Sequence, residues 1–435
     1  MKVSSSTPRN LLFLHIPKTG GTSLSAILEN YFHLQDVSPH LIGSDAKSIQ
    51  SRDQLPGKLV MGHFAHNVWH LFGNDFAKVM VLRHPAERYL SQAKHWIRTR
   101  HHRPDDRLLF GSPEEAEAEL KSPDRGKYIK FEQENCQMQN CYIRAAVEDV
   151  DWNTVPLDRW VVSENDLSQF NLIGLAEDFR RFLHLLCDLF SWPASFQQLR
   201  LNQTPSNNDS RQLHAMLSSN LSRFRDDMET YNLAKRMFHE RYEQFLRKHF
   251  PNQENLDLIT DSMVEQSLNQ QFVENIRLHF PEPVSQIHWT MDQPMFGQGW
   301  WWRQYSGAVW YRSTGPQTTN IAYLPPLAIG NEYRFEIDIV FFASEAIAQG
   351  LEISINGIRC VHSIRNVSQD PAAVKSIIEG FLPAGVADGH SPITLKFRLP
   401  ETKPILAGNR IEHTEATLDW DTRLLGMGVA DIRIF

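Results

Sequence analysis

Cysteine is scarce, at four in 435 residues. Cys136, Cys141, Cys187 and Cys360 make no disulfide framework. No CxxC pair or Cys/His finger spacing occurs among them, which argues against structural zinc and for free, mostly buried thiols. Long apolar runs are missing too. None approaches the roughly 18–20 residues of a membrane-spanning helix, so no membrane span is expected. The polar opening Met1–Asn10 and the short run Leu11–Ile16 do not make a secretory signal, which points to a cytoplasmic protein. Positive charge is not in excess. Asp and Glu number 51 against 44 Lys and Arg, for a net charge of −7, so nucleic acid is not the expected partner. We find no internal repeat.

What is present is ordinary globular material. Hydrophobic residues make up 41% and charged residues 22%, enough to build cores, and the length suggests two or three folded units. Over residues 8–250, short apolar runs alternate with longer helix-like stretches. Leu11–Ile16 and Val79–Leu82 read as buried strands of a parallel sheet, with Trp160–Val162 and Leu172–Leu175 as weaker members. Thr22–Phe32, Arg88–Thr99, Asp178–Phe190 and Asp226–His249 read as helices, which makes this an α/β region. Arg98–Lys130, with three prolines, is expected to be a surface excursion around a short helix, Pro113–Leu120. Residues 251–284 read as a polar helical connector. From 285 to 435 the pattern changes to short β-rich runs at Tyr333–Phe342, Leu351–Ile355, Ile393–Leu399 and Val429–Phe435. This is the pattern of an all-β sandwich domain.

The segment His15-Ile-Pro-Lys-Thr-Gly-Gly-Thr-Ser23 follows the first strand and opens the first helix. Such a turn directs backbone N–H groups outward beside the positive end of the helix dipole. Gly20 and Gly21 let an anion approach the backbone. Thr19, Thr22 and Ser23 add hydroxyls, Lys18 adds a full charge, and Pro17 shapes the entry. The dipole contributes only about 0.3–1 kcal/mol, so lysine and the N–H cluster must dominate. Lys18 precedes both glycines, unlike the Walker A order, which disfavours an ordinary kinase or nucleotide hydrolase. A tight turn with a Thr/Ser cap is the plainer alternative.

A second anion site is expected at Arg83-His-Pro-Ala-Glu-Arg-Tyr-Leu-Ser91. Arg83 falls at a strand's carboxyl end, the rim where open α/β sheets bind ligands. A helix starting near Pro85 puts Arg88 and Ser91 on one face, and Arg83 and Ser91 can then converge on a phosphate. A capped helix with an Arg–Glu surface pair is the alternative. Two anion pockets suit a ligand with two separated phosphates.

Together these segments resemble the sulfotransferases that use 3′-phosphoadenylyl sulfate (PAPS), above all the heparan sulfate 2-O-sulfotransferases and related bacterial enzymes. HIPKTGGTSL is similar to that family's 5′-phosphosulfate loop and LRHPAERYLS to its 3′-phosphate site. Weaker echoes follow in order at Gly62-His63-Phe64, Glu134–Asn140, Leu172–Glu177, Asn202–Pro205 and Tyr231–Ala234. His84 departs from the Asp common after the arginine. The resemblance spans residues 10–250 and implies a P-loop-like parallel sheet flanked by helices. It also implies PAPS as donor, with adenosine 3′,5′-bisphosphate as product, and a hydroxyl-bearing acceptor.

The resemblance assigns the loop Pro17–Ser23 to the 5′-phosphosulfate, Arg83 and Ser91 to the 3′-phosphate, and Lys18 to the charge on the bridging oxygen. It places the histidine of the Gly-His motif, His63, at the acceptor, where a neutral imidazole can act as base. His66 is the reserve, and Glu177 a further carboxylate option. No metal is expected. His101-His102 sits in a charged run and reads as solvated surface.

The aromatic tract Trp300-Trp301-Trp302, Trp310 and Tyr311 reads either as sandwich core or as a sugar-stacking surface. The stretches Gly299–Gly315 and Leu424–Arg433 resemble a β-domain appended to bacterial surface-polysaccharide enzymes, which tilts the acceptor toward a glycan. Two other readings remain open, a nucleotide-dependent phosphotransferase and a non-catalytic glycan-binding protein.

Overall fold

The computed structural model describes residues 10–41, 43–99, 138–148, 161–194, 224–330, 332–370, 372–382, 385–404 and 424–435. The expectations for Trp160, His101-His102, Pro113–Leu120, Cys136, Glu134–Gln137 and Asn202–Pro205 lie outside these residues. The chain divides into two compact units. One comprises residues 1–24, 38–185 and 200–256, and the other 25–37, 186–199 and 257–435.

The first unit is built on a four-stranded parallel sheet. Its strands are β1 (Asn10–Leu14), β2 (Leu59–Gly62), β3 (Phe76–Leu82) and β4 (Leu172–Leu175), in the order β2-β1-β3-β4. Nearly every residue of these strands is buried. That is why they read as unbroken apolar runs and not as alternating ones. Strand β1 ends two residues before the expected Ile16, because the chain turns toward Pro17, which has no N–H for a ladder.

Two sequence readings are corrected here. Leu59–Gly62 is a strand that the sequence pattern did not single out, so Gly62 closes the second strand of the chain and His63 follows it. Val161 and Val162 are not in a strand. They lead into Ser163, whose hydroxyl accepts the Asp166 N–H while Asp166 accepts the Ser163 N–H. This capping box starts a short helix, Glu164–Leu167, directly after the expected strand.

The longer helices of this region are α1 (Gly21–Leu28), α2 (Pro85–Thr99), α3 (Met138–Val147), α4 (Phe179–Phe190) and α5 (Arg225–His249). Helix α2 begins at Pro85, as the convergence of Arg83 and Ser91 required and three residues ahead of the apolar-periodic stretch Arg88–Thr99, with Pro85 at the first helical position. There its fixed φ favours the helix and its missing N–H costs nothing. Gly174 in β4 allows α4 to pack closely, because a Cβ there would lie 2.4 Å from the Phe182 ring.

The second unit carries α6 (Asp261–Glu274), capped by the Thr260 hydroxyl, and two antiparallel sheets. One runs β13-β14-β10-β18-β8-β7, with β5 also on β18, and the other β12-β11-β15-β9-β6. Their strands are β5 (Ile287–Thr290), β6 (Phe296–Gln298), β7 (Trp300–Tyr305), β8 (Trp310–Thr314), β9 (Thr319–Leu324), β10 (Arg334–Phe342), β11 (Glu352–Ile355), β12 (Ile358–Cys360), β13 (His362–Asn366), β14 (Ser376–Phe381), β15 (Ile393–Arg398) and β18 (Met427–Ile434). A short pair, β16 (Lys403–Pro404) and β17 (Leu424–Leu425), stands apart. In β15 buried and outward residues alternate, the mark of a sheet with one covered face.

The core of this unit includes chain from well upstream. Tyr31 stacks on Trp192 at 4.3 Å between ring centroids. Arg303 donates to the carbonyls of Met291, Glu29 and Phe32 at 3.0, 3.1 and 2.7 Å. Fully buried Arg312 bonds the Asn30 amide oxygen and the Gln293 carbonyl. Burial draws both guanidinium pKa values below the usual arginine range. Of the aromatic tract, Trp300, Trp301 and Tyr311 are buried. The two indoles donate to the Ile321 and Leu424 carbonyls. Trp310 is exposed, with its ring 5.0 Å from that of exposed Tyr305. The described cysteines, Cys141, Cys187 and Cys360, are free and buried.

Candidate active site

The loop between β1 and α1 has an unusual backbone. Lys18 has φ 69° and Gly20 φ 92°, while Thr19 and Gly21 between and after them stay negative. Residues of alternating hand form the concave arrangement of N–H groups called a nest, which receives anions. The left-handed geometry comes free at Gly20 but strains Lys18, and non-glycine residues persist there only when their surroundings hold them.

Two contacts provide that hold. The Thr19 side chain is fully buried and its hydroxyl donates to the Ile16 carbonyl at 2.9 Å. The Arg83 guanidinium donates from Nη1 to the Lys18 carbonyl at 3.3 Å. Above Gly20 there is room, since a Cβ would meet only Phe179, at 4.0 Å. Thr22 faces solvent, Pro17 and Lys18 are half-buried, and Ser23 is buried. Gly21 has the opposite need to Gly20. A Cβ there would lie 1.9 Å from the His15 ring, so only glycine lets that imidazole lie against the loop.

Arg83 sits one residue beyond β3, half-buried, with its Nη2 3.9 Å from Glu87. Its backbone is held on both sides by Gln139, which accepts the Arg83 N–H at 2.8 Å and donates to the Arg83 carbonyl at 2.9 Å. Gln139 is itself placed by Asp227, whose carboxylate accepts the N–H groups of Gln139 and Asn140 at 3.2 and 3.0 Å. Burial pushes that carboxyl up to about 6, against the pull of the Asn140 N–H and buried Arg88. The next residue, His84, has its N–H taken by Glu177 at 2.8 Å, and Tyr231 donates its hydroxyl to the other Glu177 oxygen at 3.1 Å. In this chain Glu177 therefore secures the turn after Arg83 and occupies both its oxygens in doing so. Arg88, on the same helix, is buried and serves Asp227. Ser91 lies half-buried on the second turn of α2.

His63 follows β2. Gly62 is required before it, because a Cβ at that position would come within 2.3 Å of the Leu41 carbonyl oxygen. The His63 N–H donates to that same carbonyl at 2.8 Å. The His63 side chain turns to the loop, with Nδ1 hydrogen-bonded to the His15 carbonyl. A carbonyl can only accept, so Nδ1 carries the hydrogen and Nε2 keeps its lone pair. Burial, helped by His40, lowers the His63 pKa to about 4 against the opposing carbonyl bond. His15, in turn, is lowered to about 2 by burial and by His63, His40 and Lys18. His66, the reserve base, points its Nδ1 at the Ala146 carbonyl at 3.2 Å and stacks on His70.

The structure thus links Lys18, Arg83 and His63 through short contacts around one loop, whereas Ser91 and His66 have no such link among the described contacts. Sequence reasoning gave no role to Gln139 and Asp227, and it did not single out His15 or His40. Gln139 and Tyr231 lay inside weak motif echoes, which were the available signal. His40 had none.

No curated protein matches this chain significantly. A family model described as the Sulfotransferase family matches residues 4–249, more than half of the chain and the whole stretch that carries the loop, Arg83 and His63. On that match, this chain belongs to the sulfotransferase family.

Proposed function

We propose that the protein transfers a sulfuryl group from PAPS to a hydroxyl of a carbohydrate acceptor, using a P-loop-like site in residues 8–250. In this reading residues 251–284 connect that region to an accessory β-sandwich at 285–435. The observation that carries the proposal is the bond from His63 Nδ1 to the His15 carbonyl. It joins the candidate base to the residue that opens the anion loop, with the proton on the far side of the ring from the lone pair.

The residues present fit the donor. The nest at Lys18–Gly21, the open space over Gly20 and the Lys18 charge suit the 5′-phosphosulfate, with Pro17, Thr19, Thr22 and Ser23 completing the loop. Arg83 supplies a guanidinium for the 3′-phosphate, and Ser91 a hydroxyl on the following helix. The bound donor would supply an electrophilic sulfuryl group with a phosphate as leaving group. The protein's own part is positioning and electrostatics. His63 Nε2 takes the proton of the acceptor hydroxyl, and Lys18 balances negative charge growing at the loop. The exposed Tyr305–Trp310 pair offers a face on which a sugar ring can stack, which supports a glycan acceptor.

The test is calorimetric titration with adenosine 3′,5′-bisphosphate beside ATP, followed by transfer of labelled sulfate from PAPS onto a glycan panel. Preferential binding of the bisphosphate is expected, with turnover lost in Lys18→Ala and His63→Ala and donor affinity reduced in Arg83→Ala. Binding of ATP in preference would favour the phosphotransferase reading. Glycan binding untouched by Lys18→Ala and His63→Ala, with no transfer in the parent chain, would favour a non-catalytic one.

A further inference from the structure

Three histidines far apart in the sequence meet beside the anion loop. His15 ends the approach from β1, His40 lies in the connection before β2, and His63 follows β2. Their ring centroids are 4.6 Å apart for His15–His63, 5.2 Å for His15–His40 and 5.7 Å for His40–His63. One ring nitrogen from each lies within 4.8 Å of the other two. His15 Nδ1 and His40 Nε2 are already 3.3 Å apart. Two nitrogens bound about 2.05 Å from a tetrahedral ion stand ~3.3 Å from each other. The first pair therefore has the spacing of two ligands. The third nitrogen lies within 4.8 Å of the others, so closing it to ligand spacing needs a ring shift of about 1.5 Å at most.

We propose that His15, His40 and His63 form a binding site for a divalent transition-metal ion of the zinc class. Three imidazoles suit zinc, copper and nickel, whereas calcium and magnesium require oxygen ligands, which this cluster does not offer. The site offers three protein ligands, two of them only partly buried, so that solvent can supply a fourth, the pattern of an open zinc centre. His63 has the outer partner that metal-bound histidines use, a backbone carbonyl taking its remote N–H, which fixes ring and tautomer. Gly21, whose missing Cβ admits the His15 ring, sets the position of that imidazole.

Metal binding needs lone pairs on His15 Nδ1 and His40 Nε2 at once. The single proton shared between them moves to the remote nitrogen of its own ring, so no proton is lost and no covalent bond to carbon changes. Because burial holds His15, His40 and His63 below the ordinary histidine pKa, all three are neutral ligands at pH 7. An ion bound here takes the His63 lone pair and blocks proton transfer from an acceptor. That inhibitory consequence rests on the reading of His63 as base given above, and the binding itself does not.

The experiment titrates the full chain, without nucleotide, with cobalt(II) followed by its visible ligand-field band, and with zinc by calorimetry. It is repeated on His40→Ala, His63→Ala and, outside the cluster, His239→Ala, each checked for fold by circular dichroism. One site with a tetrahedral cobalt spectrum is expected. Either cluster variant should weaken it by more than roughly tenfold, the floor observed when even outer-sphere partners are removed. His239→Ala should leave it unchanged. Equal affinity in the parent and in a folded cluster variant, or equal loss in His239→Ala, overturns the site. If one cluster variant fails to fold, the other gives the same reading.

A sulfate-transfer assay with added zinc separates the two layers. Inhibition is expected at the zinc concentration that fills the site. Zinc bound through the cluster with undiminished transfer would refute the base role of His63 and leave the metal site standing. Absence of the site with bisphosphate binding intact would leave the transferase reading standing.

Discussion

If His63 is the base, its burial predicts where activity is lost in acid. A solvent-exposed histidine titrates near 6.5, and only its neutral form accepts a proton. Burial holds His63 at about 4, a displacement worth about 3 kcal/mol against the charged ring. At pH 5 an ordinary imidazole would be only about 3% neutral, whereas His63 would remain roughly 90% neutral. The ratio of kcat/KM at pH 5 to that at pH 7 is therefore expected near 0.9, against ~0.04 for an unperturbed base.

The same displacement acts on stability with a definite sign. The unfolded chain takes up protons on His15 and His63 from pH 6.5 downward, and the folded chain does so only near 2 and about 4. Stability is therefore fully present above pH 6.5 and falls as pH drops, by about 2 kcal/mol per histidine by pH 5. Sulfate transfer measured from pH 4.5 to 8, with circular dichroism at every pH, keeps loss of base apart from loss of fold. An acid limb centred near 6.5 in a chain still folded would refute the argument, because it would show that the group taking the proton is not the buried imidazole.

Three further outcomes follow from particular contacts. Gly21→Ala places a methyl 1.9 Å from the His15 ring and should cost about 1–3 kcal/mol of stability through overpacking; an unaltered denaturant midpoint would contradict the crowding described here. Glu177→Gln keeps an acceptor for the His84 N–H and should retain most turnover. Glu177→Ala frees both the His84 N–H and the Tyr231 hydroxyl and should lose about 1–3 kcal/mol. A turnover collapse in Glu177→Gln at intact stability would instead make this carboxylate the base. A chain ending at Leu256 keeps the whole matched span but strips the cover from Tyr31, Phe32 and Trp192, all buried. Exposure of such side chains costs about 1.5–3 kcal/mol each, comparable in sum to the whole stability of a typical domain. That chain should fail to melt cooperatively by circular dichroism, and a sharp melting transition would refute the assignment of residues 25–37 and 186–199 to the second unit.

Some of this was available in the amino-acid order alone. β1, β3 and β4 announced themselves because a strand buried on both faces is an unbroken apolar run. Pro-Lys-Thr-Gly-Gly after such a run pointed to a strand-to-helix turn with outward N–H groups, and the structure gives that turn the alternating backbone of a nest. Arg83 and His63 were singled out from local motifs, and the structure brings them against the carbonyls of Lys18 and His15, respectively. Tertiary structure alone decided the rest. β2 has the length and burial of β4 but was not singled out, and it is its parallel pairing with β1 that makes it a strand. Gln139, Asp227 and Glu177 act on Arg83 and His84 across 50 to 150 positions, and no local pattern encodes which carboxylate becomes a base and which a brace. His15, His40 and His63 have no metal-ligand spacing, because a parallel sheet brings the ends of adjacent strands together regardless of how much chain lies between them. Residues 29–32 look like the end of a helix in sequence, yet Arg303 and Arg312 bind them into the β-rich unit. That choice depends on which buried carbonyls need donors after folding, which a linear reading does not contain.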